Sequence, residues 1–421
     1  MLPLQSPLEA YRADLSRHPN RTDFGRSDTV WLLVAHCLHR LSRAQGEARR
    51  SIADNCASAI GDLAGTVSPD TADEVAMIEQ LARLRRALPL LDTARGAGEV
   101  VSSARLLADQ MGEAGALWLA FSTLGHVRLA AAAAPPRELG LSTADQAWVA
   151  RTLGDLDSAD ELYDAVAALG EKHSESELHS RALLGKGVTA RVRGNYPRAR
   201  KYLVEGLRRA ERAGLADLAA VGHQGLLIAA ATAGDHQTAL VHGWAAYELA
   251  ASSPERQAEI LINLAQVSLL AGQARAARSG FLASMSRTDQ LRFKLPCLGG
   301  AAVASAALGD STMLTTLARA AEESVSATAL PFETASVLKS LLDAYRLMGD
   351  AARAEEYRLR ARALARKNGF FEIVLATESA EVATPKSRPA TAPLSDESLS
   401  VIHSLETLET EPVAGALVLT P

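Results

Sequence analysis

Histidine and cysteine side chains are clustered in one short stretch near the start of the chain. The sequence VAHCLHR contains His36, Cys37 and His39, and Cys56 follows later. His36 and His39 are three residues apart, so on a helix they share one face. A zinc site needs about four ligands of suitable spacing, and no matching second pair is visible. The pattern therefore predicts no metal site, and isolated histidines such as His223, His236 and His242 are expected at the surface or in turns.

Other catalytic patterns are also missing from the sequence. We find no glycine-rich phosphate-binding loop, no nucleophile elbow and no paired histidine–carboxylate motif. The sequence accordingly predicts a protein that is not an enzyme and that carries no cofactor.

The charge of the chain is unevenly distributed. The net charge is −5, and the segment from Glu378 onward contains seven acidic and two basic residues, which accounts for all of it. A nucleic-acid binder usually has a basic surplus, so no nucleic-acid partner is expected. Arg358, Arg362 and Arg366 recur every four residues and form a basic stripe. One hypothesis is that the acidic tail contacts this C-terminal basic helix within the same chain.

The composition favours helices in a reducing compartment. Hydrophobic residues make up 48% of the chain but aromatic residues only 4%, and an alanine- and leucine-rich core suits closely packed helices better than strands. The three cysteines are too few and too scattered for a disulfide framework. No signal peptide and no run of about 18 apolar residues is evident. The expected location is the cytoplasm, with no membrane contact.

A turn motif repeats along the last two thirds of the chain. Its examples include TLGDLDSA from Thr152, VRGNYPRA from Val192 and LMGDAARA from Leu347. The glycines are spaced 40, 40, 38, 37 and 40 residues apart, and alanine stands five residues after all but one of them, where Leu314 replaces it. Regular self-similarity of this length is typical of a solenoid. The turn glycines are Gly154, Gly194, Gly234, Gly272, Gly309 and Gly349.

Each residue of the motif has a physical role in a helical hairpin. Glycine just past a helix end adopts the left-handed conformation without a Cβ clash. The following Asp or Asn, as in Asp155 and Asn195, caps the next helix by accepting hydrogen bonds from its free amides. The alanine lets the two helices approach closely. A seventh turn is expected at Gly112, with Leu117 at the alanine position.

The pattern divides the chain into four segments. Residues 1–26 are predicted to be a partly helical or disordered extension, and residues 27–97 a divergent helical cap or N-terminal repeats. Residues 98–377 form the predicted solenoid. Residues 378–421 are rich in Pro, Ser, Thr and Glu, which predicts a disordered acidic tail. For a short apolar and acidic stretch in that tail, from Leu399, the alternative to disorder is a helix that docks on the array.

The repeated unit resembles the tetratricopeptide repeat (TPR). From Gly194, the family's small second-helix position falls on Ala199 and its bulky packing position on Leu203. The equivalent pairs are Ala159 with Tyr163 and Ala277 with Phe281. The period is nearer 40 than the family's 34, and the family's first-helix tryptophan and second-helix proline are absent. The resemblance covers residues 98–368 and implies an all-α fold: a right-handed α–α superhelix of antiparallel hairpins, of the long-period type found in bacterial signalling proteins.

The resemblance also implies where a partner binds. In such arrays the first helix of each hairpin lines a concave groove. Asn263 stands where the family places an asparagine that bonds a peptide backbone, and Arg151 and Arg191 occupy the same level on successive repeats. Such arginines can bind a carboxylate through paired hydrogen bonds. The family's two-carboxylate clamp is not assembled here. The predicted groove residues are Arg151, Arg191, Gln224, Asn263, Gln266, Lys339, Asp343 and Arg346.

Two functions remain open from the sequence. The first is a bacterial interaction scaffold or signalling adaptor that binds a peptide or helix of a protein partner in the groove. The alternative is a bacterial regulator that senses a ligand or peptide and uses its N-terminal helical region for output or dimerisation. The two differ in whether residues 1–95 continue the hairpin stack or form a separate compact unit.

Overall fold

A computed structural model describes residues 4–17, 27–66, 71–326, 330–379 and 393–408, all of them in helices or the turns that join them. The chain divides into two compact units, residues 1–218 and residues 219–421. The boundary falls in the first turn of a helix. Within the described residues, no helix combines the length and apolar character that crossing a membrane requires.

The described residues of unit 1 form ten helices, with a short 3₁₀ segment, Leu88–Leu90, before the fifth. They are α1 (Pro7–Arg17), α2 (Asp28–Ser42), α3 (Gly46–Ala64), α4 (Ala72–Ala87), α5 (Ala94–Glu113), α6 (Leu117–Ala130), α7 (Pro136–Thr152), α8 (Leu156–His173), α9 (Ser176–Val192) and α10 (Tyr196–Arg212).

Unit 2 contains the remaining helices. They are α11 (Ala216–Thr232), α12 (His236–Leu249), α13 (Pro254–Leu270), α14 (Ala274–Met285), α15 (Leu291–Ala307), α16 (Ser311–Ser326), α17 (Pro331–Leu347), α18 (Ala351–Asn368), α19 (Phe371–Ser379) and α20 (Asp396–Glu406).

The six turn glycines predicted from the sequence all adopt the left-handed conformation, with φ between +73° and +91°. In five of the turns the Asp or Asn that follows accepts a hydrogen bond from a backbone amide of the next helix. The distances are 3.0 to 3.2 Å, as from Ser158 to Asp155 and from Arg198 to Asn195. Gln273, which follows Gly272, makes no such bond. The predicted glycine-and-cap turn is therefore confirmed.

The seventh turn lies at Gly115 rather than at Gly112, so that prediction is wrong. Gly112 is inside α5, whereas Gly115 has φ of +90° and follows the end of that helix. Five residues later stands Ala120, which is fully buried like the other alanines at this position. The correct spacing to Gly154 is 39 residues, within the range of the other turns.

Glycines in the first helices make room for large side chains of the preceding hairpin. A Cβ added to Gly185 of α9 would lie 2.2 Å from the ring of Tyr163, and one added to Gly300 of α15 would lie 2.3 Å from the ring of Phe281. Such distances are far shorter than van der Waals contact, so only glycine fits. These two hairpins thus each bury an aromatic ring against the backbone of the next.

The N-terminal helices pack onto the hairpins of the same unit. One hydrophobic cluster runs from Val30 in α2 to Ala182 in α9, so residues 27–97 share a core with the repeats. Helix α1 packs on α6, where buried Asp14 accepts hydrogen bonds from the backbone amides of Trp118 (2.8 Å) and Leu119 (2.9 Å) at the helix start. Asp14 therefore caps α6 from a distant part of the chain.

Helix α18 ends at Gly369, which has φ of +76°. The short α19 covers the last hairpin with Ile373, which joins a cluster with Ala335 and Ala365. The sequence predicts disorder for residues 378–421. For residues 396–406 this prediction is wrong, because they form α20, which packs on other helices of unit 2. The other parts of that segment, residues 380–392 and 409–421, lie outside the described residues.

Candidate partner-binding site

A cleft of about 350 Å³ opens between α5 and α7 of unit 1. We call it the α5–α7 cleft, and its main lining residues are Ser102, Arg105, Leu106, Asp109, Asp145 and Trp148. Both helices are the first helices of their hairpins, the position that the TPR resemblance assigns to the groove. The cleft therefore lies on the predicted binding surface.

Large apolar side chains are exposed in this cleft. Trp148 is 41% exposed and Leu106 is 48% exposed. Gly112 lies beside the indole, because a Cβ built on it would be 3.5 Å from Cζ3 of Trp148. Exposed large apolar groups that are rimmed by polar groups are typical of interaction sites. Tryptophan in particular is enriched among the residues that dominate binding energy.

Charged groups surround the apolar part of the cleft. Nε of Arg105 donates to Oδ2 of Asp145 at 2.5 Å, joining α5 to α7. The Oγ atom of Ser102 donates to Oε2 of Glu138 at 2.8 Å. The bond to Asp145 uses one of the five N–H donors of the guanidinium group. The side chains of Arg105 and Asp145 are 22% and 32% exposed, so both are held in place while still reaching solvent.

The predicted groove residues of unit 1 are close to each other. Burial lowers the pKa of Arg191, and the positive charge of neighbouring Arg151 lowers it further. The Nε atom of Arg191 is buried and has no hydrogen-bond partner among the described residues. Two arginines at one level, with a donor unused, form an arrangement that a carboxylate would stabilise. Their role in binding stays a prediction.

The predicted groove residues of unit 2 mostly bond to their own surroundings. Gln224 donates to Glu259 at 2.8 Å, and Asn263 donates to the backbone oxygen of Glu259 at 3.2 Å, one turn earlier. Lys339 and Asp343 form an ion pair at 2.7 Å along one helix face. These bonds are weak because they are partly exposed to water, and they do not prevent contact with a partner.

The remaining two predicted residues of unit 2 differ in exposure. Gln266 is exposed on α13, and Arg346 is half-buried near the end of α17. The role of the unit 2 residues in binding also stays a prediction.

In the histidine and cysteine cluster, His36 is exposed, whereas the other members pack against neighbouring side chains. Cys37 and Cys56 are both buried, and their mutual hydrogen bond and burial raise the pKa of Cys37. His39 contacts the ring of His126, with Nδ1 and Nε2 3.1 Å apart. Across the described parts of the chain, no group of three or more His, Cys, Asp or Glu side chains could hold a metal ion.

The acidic tail contacts the basic helix at one described point. Nη2 of Arg366 on α18 donates to Oε1 of Glu378 at 2.6 Å. Arg358 is paired instead with Glu355 on its own helix at 2.7 Å. The helix of the tail, α20, packs on α12 and α14. Glu378 thus pairs with one arginine of the stripe, and a contact of the rest of the acidic tail with the basic helix stays a prediction.

Sequence reasoning misses the residues of the α5–α7 cleft for an identifiable reason. Counting back from the turn glycines selects polar side chains, which leaves out Trp148 because it is apolar. Because the turn is predicted at Gly112 instead of Gly115, the positions counted back along α5 fall on the wrong residues. Counting back six residues from Gly154 gives Trp148, and counting back six from Gly115 gives Asp109. With the correct turn, one rule locates both sides of the cleft.

The comparisons with known proteins agree with this fold. A Rap protein complexed with competence and sporulation factor matches with a TM-score of 0.50 and 11% identity, over 81% of this chain and 99% of that one. The apo form of RapI matches with a TM-score of 0.50 and 13% identity, over 81% and 98%. A Pyrococcus horikoshii STAND protein with a tetratricopeptide repeat sensor matches with a TM-score of 0.50 and 13% identity, over 79% and 55%.

No family model matches the chain, and no curated protein matches it. The sequence identities are only 11 to 13%, so these comparisons show similarity of fold alone. The chain is therefore a TPR-like helical-repeat protein, a solenoid of helical hairpins, as the sequence predicts.

Proposed function

We propose that this chain is a non-catalytic interaction scaffold, and that it binds a peptide or helix of a protein partner in the α5–α7 cleft. The observation that carries the proposal is the exposure of Trp148 in a cleft whose rim is charged. An apolar side chain of the partner would pack on the indole. Arg105 and Asp145 would bond polar groups on either side of it.

The arrangement of charges supports a peptide rather than a purely apolar ligand. The cleft contains a cation, Arg105, and two carboxylates, Asp109 and Asp145. A peptide offers both hydrogen-bond donors and acceptors along its backbone, so it can pair with both signs of charge. Arg151 lies on α7 one turn beyond Trp148 and extends the polar surface towards Arg191.

The position of the N-terminal helices favours a scaffold over the regulator with a separate output module. Residues 1–218 form one compact unit, and the cluster that begins at Val30 continues through the hairpins. An output module that moves independently would need its own core. The proposed setting is a bacterial cytoplasm, in keeping with three buried cysteines that form no disulfide.

The proposal can be tested with peptides selected on the protein itself. A random peptide library would be panned on the full chain, and the affinity of the selected peptide measured by fluorescence anisotropy. Replacing Trp148 with Ala is expected to weaken binding by roughly 2 kcal/mol, or about 30-fold, because buried aromatic anchors dominate such interfaces. Arg105→Ala is expected to weaken binding less, because its side chain remains partly hydrated.

The matched control is Leu129→Ala, which removes another exposed apolar side chain of unit 1, 55% exposed on α6 and outside the cleft. Its affinity is expected to equal that of the unmodified chain. Peptides that bind Trp148→Ala as tightly as the unmodified chain would show that the cleft is not the binding site.

A further inference from the structure

Helix α20 is held against other helices of unit 2 by buried apolar side chains. Val401, Ile402 and Leu405 are 6%, 6% and 0% exposed. They join a hydrophobic cluster with Leu240 of α12 and Leu264 of α13. The opposite face of α20 is open to solvent, with Leu399 at 47% exposure. One face of an amphipathic helix is therefore buried in a surface that other helices form.

The surface that receives α20 spans two consecutive hairpins. Helix α20 contacts both α12 and α14, the second helices of the hairpins that turn at Gly234 and Gly272. Small residues line this contact: a Cβ built on Gly280 of α14 would lie 3.7 Å from Cδ2 of Leu405. We call the surface the α12–α14 groove.

The side chain of Gln237 fixes the start of α20 in the groove. Nε2 of Gln237 donates to the backbone oxygen of Pro393 at 3.1 Å, and Oε1 of Gln237 accepts from the backbone amide of Ser395 at 3.1 Å. Ser395 is the cap of α20 and accepts from the amide of Ser398 at 3.3 Å. The groove thus recognises a capped helix start as well as an apolar face.

We propose that the α12–α14 groove is a docking site for amphipathic helices, and that α20 is its occupant within the chain, which a partner helix of the same pattern displaces. The partner has a Ser or Thr cap at the position of Ser395 and apolar residues at the positions of Val401, Ile402 and Leu405. This is the helix-in-groove mode of recognition. The site is separate from the α5–α7 cleft and does not depend on its function.

The size of α20 explains why it can be displaced. The helix has 11 residues, and isolated helices shorter than about 12 to 15 residues are marginal in water. Its helical structure therefore depends on docking, and docking depends on one apolar face and one glutamine. Elements with few buried contacts open locally at low free energy. The covalent link to α19 offsets this weakness by raising the effective concentration of α20 at the groove.

The experiment uses the full chain and a labelled peptide of residues 393–408. In the unmodified chain the groove is occupied by α20, so the peptide is expected to bind weakly. Leu405→Asp in the full chain places a charge in the apolar contact and releases α20, so the unmodified peptide is expected to bind this variant at least about tenfold more tightly. A peptide that itself carries Leu405→Asp is expected not to bind.

Leu399→Asp is the matched control, because it places the same charge on the same helix but on the exposed face. This variant is expected to bind the peptide as weakly as the unmodified chain. Two results would overturn the proposal: no binding to Leu405→Asp, or equal binding to all three chains. A third contrary result is an unmodified chain that forms dimers through α20, since the groove would then be filled by a second copy.

Hydrogen exchange on the unmodified chain keeps the proposal testable if Leu405→Asp fails to fold. The amides of α20 are expected to exchange well before those of α13, which lies in the core of the same unit. Adding an excess of the unlabelled peptide is expected to speed exchange in α20. Protection of α20 equal to that of α13 would contradict displacement.

Discussion

His126 carries a buried, uncharged imidazole in the core of unit 1. Burial lowers its pKa to about 4, although a hydrogen bond between Nε2 and the backbone oxygen of Gln5, at 3.1 Å, acts in the opposite direction. The ring also contacts His39, whose positive charge would repel a second one. Protonating His126 therefore works against the folded state.

The sign of the pH dependence follows from the lowered pKa. Between pH 4 and pH 6.5 the unfolded chain binds a proton at His126 that the folded chain does not bind, so this residue adds stability as the pH rises through that window and loses it as the pH falls. A shift from 6.5 to about 4 corresponds to roughly 3 kcal/mol. Asp14 acts in the opposite direction, because burial raises its pKa to about 6.

We expect His126→Gln to remove this contribution. The difference in free energy of unfolding between the unmodified chain and the variant should grow by up to about 3 kcal/mol as the pH rises from 4 to 6.5. Urea unfolding at several pH values measures the difference directly, and the Asp14 contribution cancels because both chains retain it.

His173→Gln, at the exposed end of α8, is the control for this prediction and should leave the pH profile unchanged. Parallel stability curves for the unmodified chain and His126→Gln would show that His126 does not titrate in the predicted window.

The element that the sequence predicts best is the helical hairpin. Its turn depends on a glycine with positive φ and on a cap within the next few residues. The conformation of the turn is therefore determined by residues that are close in sequence. The error at Gly112 shows the limit of this reasoning. Two glycines three residues apart both fit a hairpin of about 40 residues, and only the end of α5 decides that Gly115 is the turn.

We expect Gly194→Ala to destabilise the hairpin of α9 and α10 through the backbone alone. Gly194 has φ of +76°, and a Cβ added to it would meet no atom within 4 Å, so no side chain would clash. The left-handed conformation costs a residue with a Cβ roughly 1 to 2 kcal/mol. Urea denaturation of the full chain should show a loss of about that size.

Gly65→Ala provides the comparison. Gly65 also follows a helix, α3, but its φ is −71°, which alanine adopts readily. This change is expected to be neutral or slightly stabilising. If both variants lost the same stability, the cost would lie in something other than the left-handed turn.

Across the whole molecule, each hairpin is stabilised chiefly by its neighbours in sequence. In a helical-repeat protein the stability is close to a sum of hairpin and nearest-neighbour terms, so a defect spreads only a short distance. Phe281 is an example, because its ring is 1% exposed and lies against Gly300 of the next hairpin.

We expect Phe281→Ala to cost about 3 to 5 kcal/mol locally, because it removes a buried ring and leaves a cavity. Hydrogen exchange of the full chain should show the largest loss of protection in α14 and α15, and a smaller loss in α18 and α19 of the same unit. Leu347→Ala, 56% exposed on α17, should change protection little. A uniform loss throughout unit 2 would mean that the unit unfolds as a single cooperative block.

The two candidate binding surfaces differ in how visible they are in the sequence. Trp148 can be located from the turn at Gly154, and Asp109 once the turn at Gly115 is placed, since each stands six residues before a turn glycine. Helix α20 cannot be located in this way. Its stretch of sequence has an apolar face but sits in a Pro- and Ser-rich tail, and its partner residues, such as Gln237 and Leu240, lie more than 150 positions earlier.

The sequence by itself determined six of the seven hairpin turns and the TPR-like class, because glycine, cap and small residue act on neighbouring residues and repeat along the chain. The tertiary structure decided the rest: the pairing of Arg105 with Asp145, the burial of His126, the capping of α6 by Asp14 and the docking of α20. Each of these depends on contacts between residues distant in sequence. Packing selects such contacts from many that local patterns would equally allow.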